Sequence, residues 1–134
     1  MGIAITAKRG GLVEELAGAP RSLILRNGEI ERFEDIHGGI FALWDGFYGR
    51  GMKPTARQVR DLVALGLVGG GMDDADADRL VGALGPDENL HLYKIANGLI
   101  GVAFMPDTAE GGGDEVDPDA DSPDEKKTDP ALGE

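Results

Sequence analysis

The chain has 134 residues, a mass of 14.1 kDa and a formal net charge of −12. This length accommodates one domain with a hydrophobic core, and the absence of Cys excludes a disulfide framework, a thiol nucleophile and a thiolate metal site. Eleven acidic residues and two lysines lie from Asp107 onward, a net of −9, which leaves only −3 for the first 106 residues. The acidity therefore belongs to a C-terminal tail, residues 106–134, which has almost nothing to bury and is expected to be disordered.

The chain begins with a segment expected to be flexible, residues 1–9, and continues into a predicted β-hairpin. The N-terminus is too short and too polar for a signal peptide, and no apolar run approaches the length of a membrane span. The absence of Cys fits a reducing cytoplasm. The β-prone stretches "GLVEEL" and "RSLILR" are separated by "AGAP", a plausible turn, and they open a single domain predicted to span residues 10–105.

The stretch "LILRNGEIERFED" has two possible interpretations. Asn27-Gly28 between apolar residues is typical of a two-residue hairpin turn, but Asn27 can also cap a helix. A strand after the turn would place Ile30 and Arg32 on one face and Phe33 on the other, which breaks the expected alternation. A helix places Ile30, Phe33 and Ile36 on one buried side, so we predict a helix capped by Asn27.

Two further helices follow. After a Gly-Gly break, "IFALWDGF" resumes apolar residues at helical spacing. In "PTARQVRDLVALGLVGGG", Thr55 can cap the next helix while Gln58 reaches back to form a capping box. Its buried stripe is Val59, Leu62, Val63 and Leu67, and the glycines end it.

The last two predicted helices differ in pattern. "MDDADADRLVGALGP" places Asp73 or Asp74 at the N-cap, and capping explains its acidic residues better than a metal site does. "DENLHLYKIANGLIGVAFM" is apolar around most of its circumference, as in a central helix, although its glycine-interrupted second half also fits a strand. The predicted fold is α+β and predominantly α: an N-terminal β-hairpin followed by a bundle of about five short helices.

Few residues suggest catalysis or metal binding. His37 at a helix end and His91 in an apolar helix are better explained by structural roles than as metal ligands. "GLVGGGM" lacks the Lys-Ser/Thr of a phosphate-binding loop. "DPDAD" in the tail has the acidic spacing of a calcium loop but lacks the Gly and Glu that an EF-hand requires. We therefore expect no enzymatic activity, no cofactor and no metal.

A partner protein is the expected ligand. Arg50, Lys53, Arg57 and Arg60 form only a modest basic stretch in an acidic chain, which disfavours nucleic-acid binding. The segment "FALWDGFYGRGM" carries more large apolar side chains than one helical stripe buries, so it forms either a partner groove or the core itself. We predict that this segment and the outer face of the last helix contact a helix of another protein. The candidate partner-binding residues are Phe41, Trp44, Phe47, Tyr48, Met52, Leu90 and Tyr93.

The order of elements resembles that of a known family. A hairpin ending in "LILR", a helix containing "EIERFED", the stretch "GIFAL" after a glycine, and a helix ending in "VALGLVGGG" before an acid-capped helix are similar to the gene transfer agent and phage tail assembly protein family. The resemblance runs from about Gly10 to Phe104 and excludes the first nine residues and the acidic tail. Its motifs are diffuse hydrophobic and glycine patterns without a catalytic signature.

The resemblance implies a non-enzymatic tail assembly chaperone, encoded between the tail tube and tape measure genes, that binds the tape measure protein and shields its hydrophobic helices. Some members of the family are labelled tail tube proteins, so a structural tail or tail-tube component is the alternative. A DNA mimic that uses the acidic tail is a minor alternative of a different class. The expected partners are the tape measure protein and the tail tube protein, with no nucleic acid and no membrane, and a homo-oligomer is also compatible with the sequence.

Overall fold

The structure is a computed structural model and describes residues 6–107. Its elements in chain order are strands β1 (Gly11–Leu16) and β2 (Ala19–Ile24), helices α1 (Asn27–His37), α2 (Ile40–Phe47), α3 (Ala56–Gly69) and α4 (Asp74–Gly82), a 3₁₀ turn (Pro86–Glu88), and helix α5 (Asn89–Phe104). The predicted α+β architecture, a hairpin followed by five α-helices, is confirmed. No helix in the described part of the chain is long and apolar enough to span a membrane.

Several predictions fall outside this range. The acidic tail from residue 108 onward, its calcium-like motif and the DNA-mimic interpretation all depend on residues that the structure does not describe, as does the N-terminal segment 1–5. Two flanking residues are described: the guanidinium of Arg9 donates to the Asp107 carboxylate at 2.6 Å, with both side chains exposed. An exposed pair of this kind contributes little to stability.

The hairpin has a two-residue turn at Ala17 and Gly18. The strands pair antiparallel from Gly11 opposite Ile24 to Leu16 opposite Ala19. Ala17 and Gly18 have φ angles of 53° and 81°, and two positive φ values are characteristic of the turn that matches strand twist in a tight hairpin. The second strand therefore begins at Ala19, inside the "AGAP" stretch that the sequence suggested as the turn.

Helix α1 confirms the helical interpretation of "RNGEIERFED" and corrects two of its details. The N-cap is Arg26 rather than Asn27, and the Glu29 carboxylate accepts a hydrogen bond from the Arg26 backbone N–H at 2.9 Å. Phe33 is fully buried, but Ile36 is 65% exposed instead of lying on the buried side. The helix buries only a narrow stripe because an open groove, rather than another helix, lies beside Ile36.

Helix α3 is the centre of the fold and contacts β2, α1, α4 and α5. It begins as predicted: the Gln58 backbone N–H donates to Thr55 Oγ1 at 3.0 Å, and the Thr55 backbone N–H donates to Gln58 Oε1 at 2.9 Å. Its predicted stripe is buried. The largest fully buried side chains are Phe33, Leu23, Leu62, Leu67, Leu92, Ile95, Leu99, Ile100 and Val63.

The glycines at the end of α3 permit close contact with the hairpin. A Cβ atom added to Gly69 would overlap the carbonyl oxygen of Ile24, and one added to Gly70 would overlap that of Ser22. Both contacts involve backbone atoms of β2, so no side-chain movement relieves them. These glycines therefore set the distance between the helix and the hairpin, in addition to ending the helix.

Asp73 takes the predicted N-cap position of α4, but its side chain makes no capping hydrogen bond. The acidic residues that follow pair with arginines: Asp74 pairs with Arg32 at 3.0 Å, and Asp76 pairs with Arg79 at 2.7 Å.

Arg60 of α3 joins helices α4 and α5. The Arg60 guanidinium donates to backbone carbonyls at the end of α4 and to the Asn89 side chain at the start of α5. Arg60 is thus a half-buried structural residue, unlike Arg50, Lys53 and Arg57 of the same basic stretch, which are exposed.

Candidate protein-binding surface

Helix α2 carries two parallel stripes of large side chains. One stripe, Ile40, Leu43 and Phe47, is buried against the core. Its start is fixed by Glu34 of α1, whose carboxylate accepts a hydrogen bond from the Ile40 backbone N–H at 2.9 Å. This contact satisfies one of the free N–H groups at the helix start and orients the helix. The second stripe consequently faces outward.

The outward stripe and the end of α5 form a cluster of aromatic rings. Phe41 is 69% exposed, and its ring centroid lies 5.5 Å from that of Phe104. The Trp44 ring lies 5.1 Å from Phe104 and 4.9 Å from Tyr48. We call Phe41, Trp44, Tyr48 and Phe104 the aromatic surface. Phe41 and Tyr48 are exposed, whereas Trp44 and Phe104 are half-buried and pack against the core. Exposed aromatic rings in contact with others are typical of protein-binding sites, because aromatic side chains supply much of the energy of interfaces.

A groove extends the aromatic surface along α5. It has a volume of about 530 Å³, and Tyr48 and Met105 join it to the aromatic surface. Along its floor, a Cβ atom added to Gly101 would meet no atom within 4 Å, whereas one on Gly98 would lie 3.3 Å from Leu12. The remaining lining residues are Lys94, Asn97 and Val102. The groove therefore offers a partner chain a close approach to the α5 backbone.

The structure does not bring all seven candidate residues together. Phe47 is 8% exposed and stacks on Tyr93 at 5.1 Å between ring centroids, so it attaches α2 to α5. Leu90, which is 68% exposed, and Tyr93 line a separate hollow of about 240 Å³. Met52, 86% exposed, lies on the loop after α2. Only Phe41, Trp44 and Tyr48 belong to the aromatic surface.

Phe104 is the member of the surface that the candidate set missed. Its place on the apolar last helix was visible in the sequence, but its contact with α2 depends on how the two helices pack. A contact between residues 41 and 104 carries no local sequence signal.

The charges around the aromatic surface are mostly basic. The Arg50 guanidinium lies 5.7 Å from the Tyr48 ring centroid and pairs with Asp45 at 3.0 Å. Lys94 lines the groove. A partner segment with apolar and acidic side chains fits this combination.

Both histidines have structural partners. His37 Nε2 lies 2.6 Å from the Asp61 carboxylate, and its ring stacks on Phe33 at 4.7 Å. His91 Nε2 lies 2.7 Å from the carbonyl oxygen of Glu15. Within residues 6–107, no group of three or more His, Cys, Asp or Glu side chains is arranged to hold a metal ion.

Glu29 is the buried charged residue of the described chain. It is 7% exposed and accepts hydrogen bonds from the Arg26 backbone N–H and guanidinium at 2.9 to 3.2 Å. Burial opposes ionisation of its carboxylate, but these contacts with Arg26 together outweigh burial and lower the pKa of Glu29 from its ordinary value of 4.5. Its carboxylate also lies beside the end of α3, where a Cβ on Gly69 would be 3.2 Å away. Glu29 therefore serves the junction of β2, α1 and α3.

The described residues form a small α+β domain with an aromatic surface on one side. The model of the family described as "Phage tail tube protein, GTA-gp10" matches residues 9–106, and the chain belongs to this family. Comparisons with curated proteins and with solved structures gave no match. The predicted relation to phage and gene transfer agent tails is thus confirmed, and the family description names the tail tube, the alternative interpretation, rather than an assembly chaperone.

Proposed function

We propose that this tail protein acts by binding a helix of another tail protein through the aromatic surface and the adjoining α5 groove. The observation that carries the proposal is the 69% exposure of Phe41 within a cluster of contacting rings. Leaving such a ring in water forgoes roughly 2 kcal/mol of burial, which a partner would recover on binding. In this role the protein is not an enzyme, and it acts in the bacterial cytoplasm.

Two forms of this function differ in whether the contact persists. The family description supports a tail-tube component, in which the aromatic surface contacts a neighbouring subunit of the finished tail. In that form, the protein stays in the particle in many copies related by symmetry.

A specific observation supports the second form, an assembly chaperone for the tape measure protein. The aromatic surface continues into a groove with an open glycine, Gly101, which suits a single inserted helix. A chaperone of this kind shields the apolar side of its client and leaves once the tail is built. The tape measure protein is the proposed client.

Co-purification tests the binding surface. The chain is coexpressed with a tail tube protein or a tape measure protein of the same phage-like particle, and the captured partner is quantified. Phe41→Ser is expected to reduce binding by about 2 kcal/mol, roughly 30-fold, because a ring at the centre of an interface is replaced. Leu90→Ser is the matched control, since Leu90 is 68% exposed in a separate hollow. Equal loss with both variants would contradict the assignment to the aromatic surface.

The composition of purified particles separates the two forms. A tail-tube component is present in ring-multiple copy number, whereas a chaperone is missing from particles yet raises the soluble yield of the tape measure protein. Phe41→Ser should remove the chain from particles if the native chain is a tail-tube component, and should remove the gain in soluble tape measure protein if the native chain is a chaperone. An unchanged effect in that variant would count against the aromatic surface in both forms.

A further inference from the structure

A second groove lies on the side of α3 that faces away from α5. It runs between α1, α3 and α4 and has a volume of about 420 Å³. Gly66 of α3 meets Leu99 of α5, while the α3 residues of the groove are on the opposite side of the helical circumference. The floor of the groove is apolar and consists of Ile36, Ala64, Leu65 and Val68. This groove explains why Ile36 is exposed although the helical pattern of α1 would bury it.

The rim of this groove is charged and predominantly acidic. Four aspartates and two arginines line it, namely Asp35, Asp61, Asp74, Asp78, Arg32 and Arg57. Asp74 pairs with Arg32 at 3.0 Å, and Asp61 contacts His37 at 2.6 Å. Neither Asp35 nor Asp78 makes an ion pair in the described part of the chain. The rim therefore has two carboxylates without an ion-pair partner in the described residues, one on α1 and one on α4.

The chain itself carries a segment of complementary character. Residues 49–54, which we call the basic loop, place Met52 between Arg50 and Lys53. Met52 is 86% exposed, more than any other large hydrophobic side chain described. Lys53 makes no ion pair within residues 6–107. Gly49 and Gly51 have φ angles of 80° and 78°, so the loop has a defined backbone shape.

We propose that the groove between α1, α3 and α4 is a docking site for the basic loop of a second copy of this chain. Met52 of one copy enters the apolar floor, and Lys53 and Arg50 face Asp35 and Asp78 of the other copy. Apolar burial supplies affinity, while charge complementarity fixes the orientation. Because the loop and the groove are different surfaces, each copy both offers a loop and receives one. The receiving groove shares no residue with the aromatic surface, whereas Arg50 of the loop lies beside Tyr48 and pairs with Asp45 in the single chain.

Charge reversal on the full-length chain tests this inference. The loop variant is Arg50→Glu with Lys53→Glu, and the groove variant is Asp35→Lys with Asp78→Lys. Each variant alone brings like charges together, so its self-association, measured by sedimentation equilibrium at low salt, should weaken at least about tenfold. Mixing the two variants restores opposite charges at both contacts and should restore association.

The controls separate this contact from net charge and folding. Glu15→Lys with Asp87→Lys changes the net charge as the groove variant does, but on exposed positions of β1 and the 3₁₀ turn, and it should not weaken association. Met52→Ser should weaken association without altering the circular dichroism melting curve at concentrations where both chains are monomeric, because Met52 is exposed in the single chain. A native chain that stays monomeric at all concentrations, or a mixture that fails to associate better than either variant alone, would overturn the proposal.

Discussion

The contact between the end of α3 and the hairpin gives a sharp prediction for Gly69→Ala. The added methyl group would lie closer than 3.0 Å to the Ile24 carbonyl oxygen, a separation that Cβ atoms essentially never show. Because the obstacle is backbone, α3 and β2 must move apart. That movement loosens Leu23 and Leu67, each 1% exposed. Overpacking of this kind costs about 3 kcal/mol, the upper end of its usual range, and outweighs the gain of about 1 kcal/mol from replacing Gly with Ala in a helix.

The expected net loss is therefore roughly 2 kcal/mol, which corresponds to a fall in Tm of about 8 to 16 °C for a domain of this size. Thermal unfolding followed by circular dichroism measures this fall. Gly82→Ala is the control, because Gly82 lies in α4 and a Cβ atom there meets nothing within 4 Å. That variant should gain up to about 1 kcal/mol from helix propensity. If Gly69→Ala melted within about 2 °C of the native chain, the close approach of helix and hairpin would be refuted.

Two further predictions concern buried polar contacts. Glu29→Gln should lower the free energy of unfolding at pH 7 by about 1 to 3 kcal/mol, because it weakens the charged contact with Arg26. Because the pKa of Glu29 is lowered in the folded state, this contribution is complete above pH 4.5 and is lost as pH falls through the folded-state pKa. In urea unfolding, the difference in stability between the native chain and Glu29→Gln should therefore be smaller at pH 3 than at pH 7. An equal difference at both pH values would contradict the assignment. Arg60→Lys should lower the free energy of unfolding in urea by about 2 kcal/mol, since an ammonium group cannot reach the three acceptors of Arg60. Arg57→Lys is the control: the Arg57 side chain is 79% exposed, so this change should alter stability by less than about 0.5 kcal/mol. Equal effects of the two Lys variants would remove the structural role of Arg60.

The sequence correctly predicted structural features that depend on residues close together in the chain. The capping box at Thr55 joins residues three apart, and both of its hydrogen bonds are present. The helical interpretation after Arg26 is correct for the same reason, since spacing alone excluded a strand. The cap itself was misassigned because Glu29 occupies the position from which a carboxylate reaches the Arg26 backbone N–H. Asn27 thereby becomes the first residue of the helix.

Predictions that depend on packing were less successful. The helical period of α1 places Ile36 beside Phe33, but burial at Ile36 requires a neighbouring element, and a groove lies there instead. Arg60 was grouped with Arg50, Lys53 and Arg57 in one basic stretch because nothing in its immediate sequence reveals the carbonyl groups at the end of α4. Both residues were misjudged for one physical reason: their surroundings come from segments more than 20 positions away, as the separations between Arg60 and its acceptors show.

Helical geometry alone could have separated the buried residues of the candidate site on α2 from the exposed ones. Residues 40, 43 and 47 and residues 41, 44 and 48 have the same spacing, shifted by one position, and one position rotates the helix by about 100°. The two sets must therefore face different directions, and only one of them can form the core. The set containing Ile40 is uniformly nonaromatic until Phe47, while the other contains three aromatic residues. Treating "FALWDGFYGRGM" as one surface merged the two.

This division of α2 determines what substitutions in it can reveal. Phe47 is buried and contacts Tyr93 of α5, so its removal would release α2 from α5 and destroy the aromatic surface along with part of the fold. Phe41 contacts Phe104 at the surface and is already 69% exposed, so its removal leaves the helix in place. A loss of partner binding has functional meaning in the second case alone. The inner stripe therefore reports the stability of the domain, and the outer stripe reports the binding function.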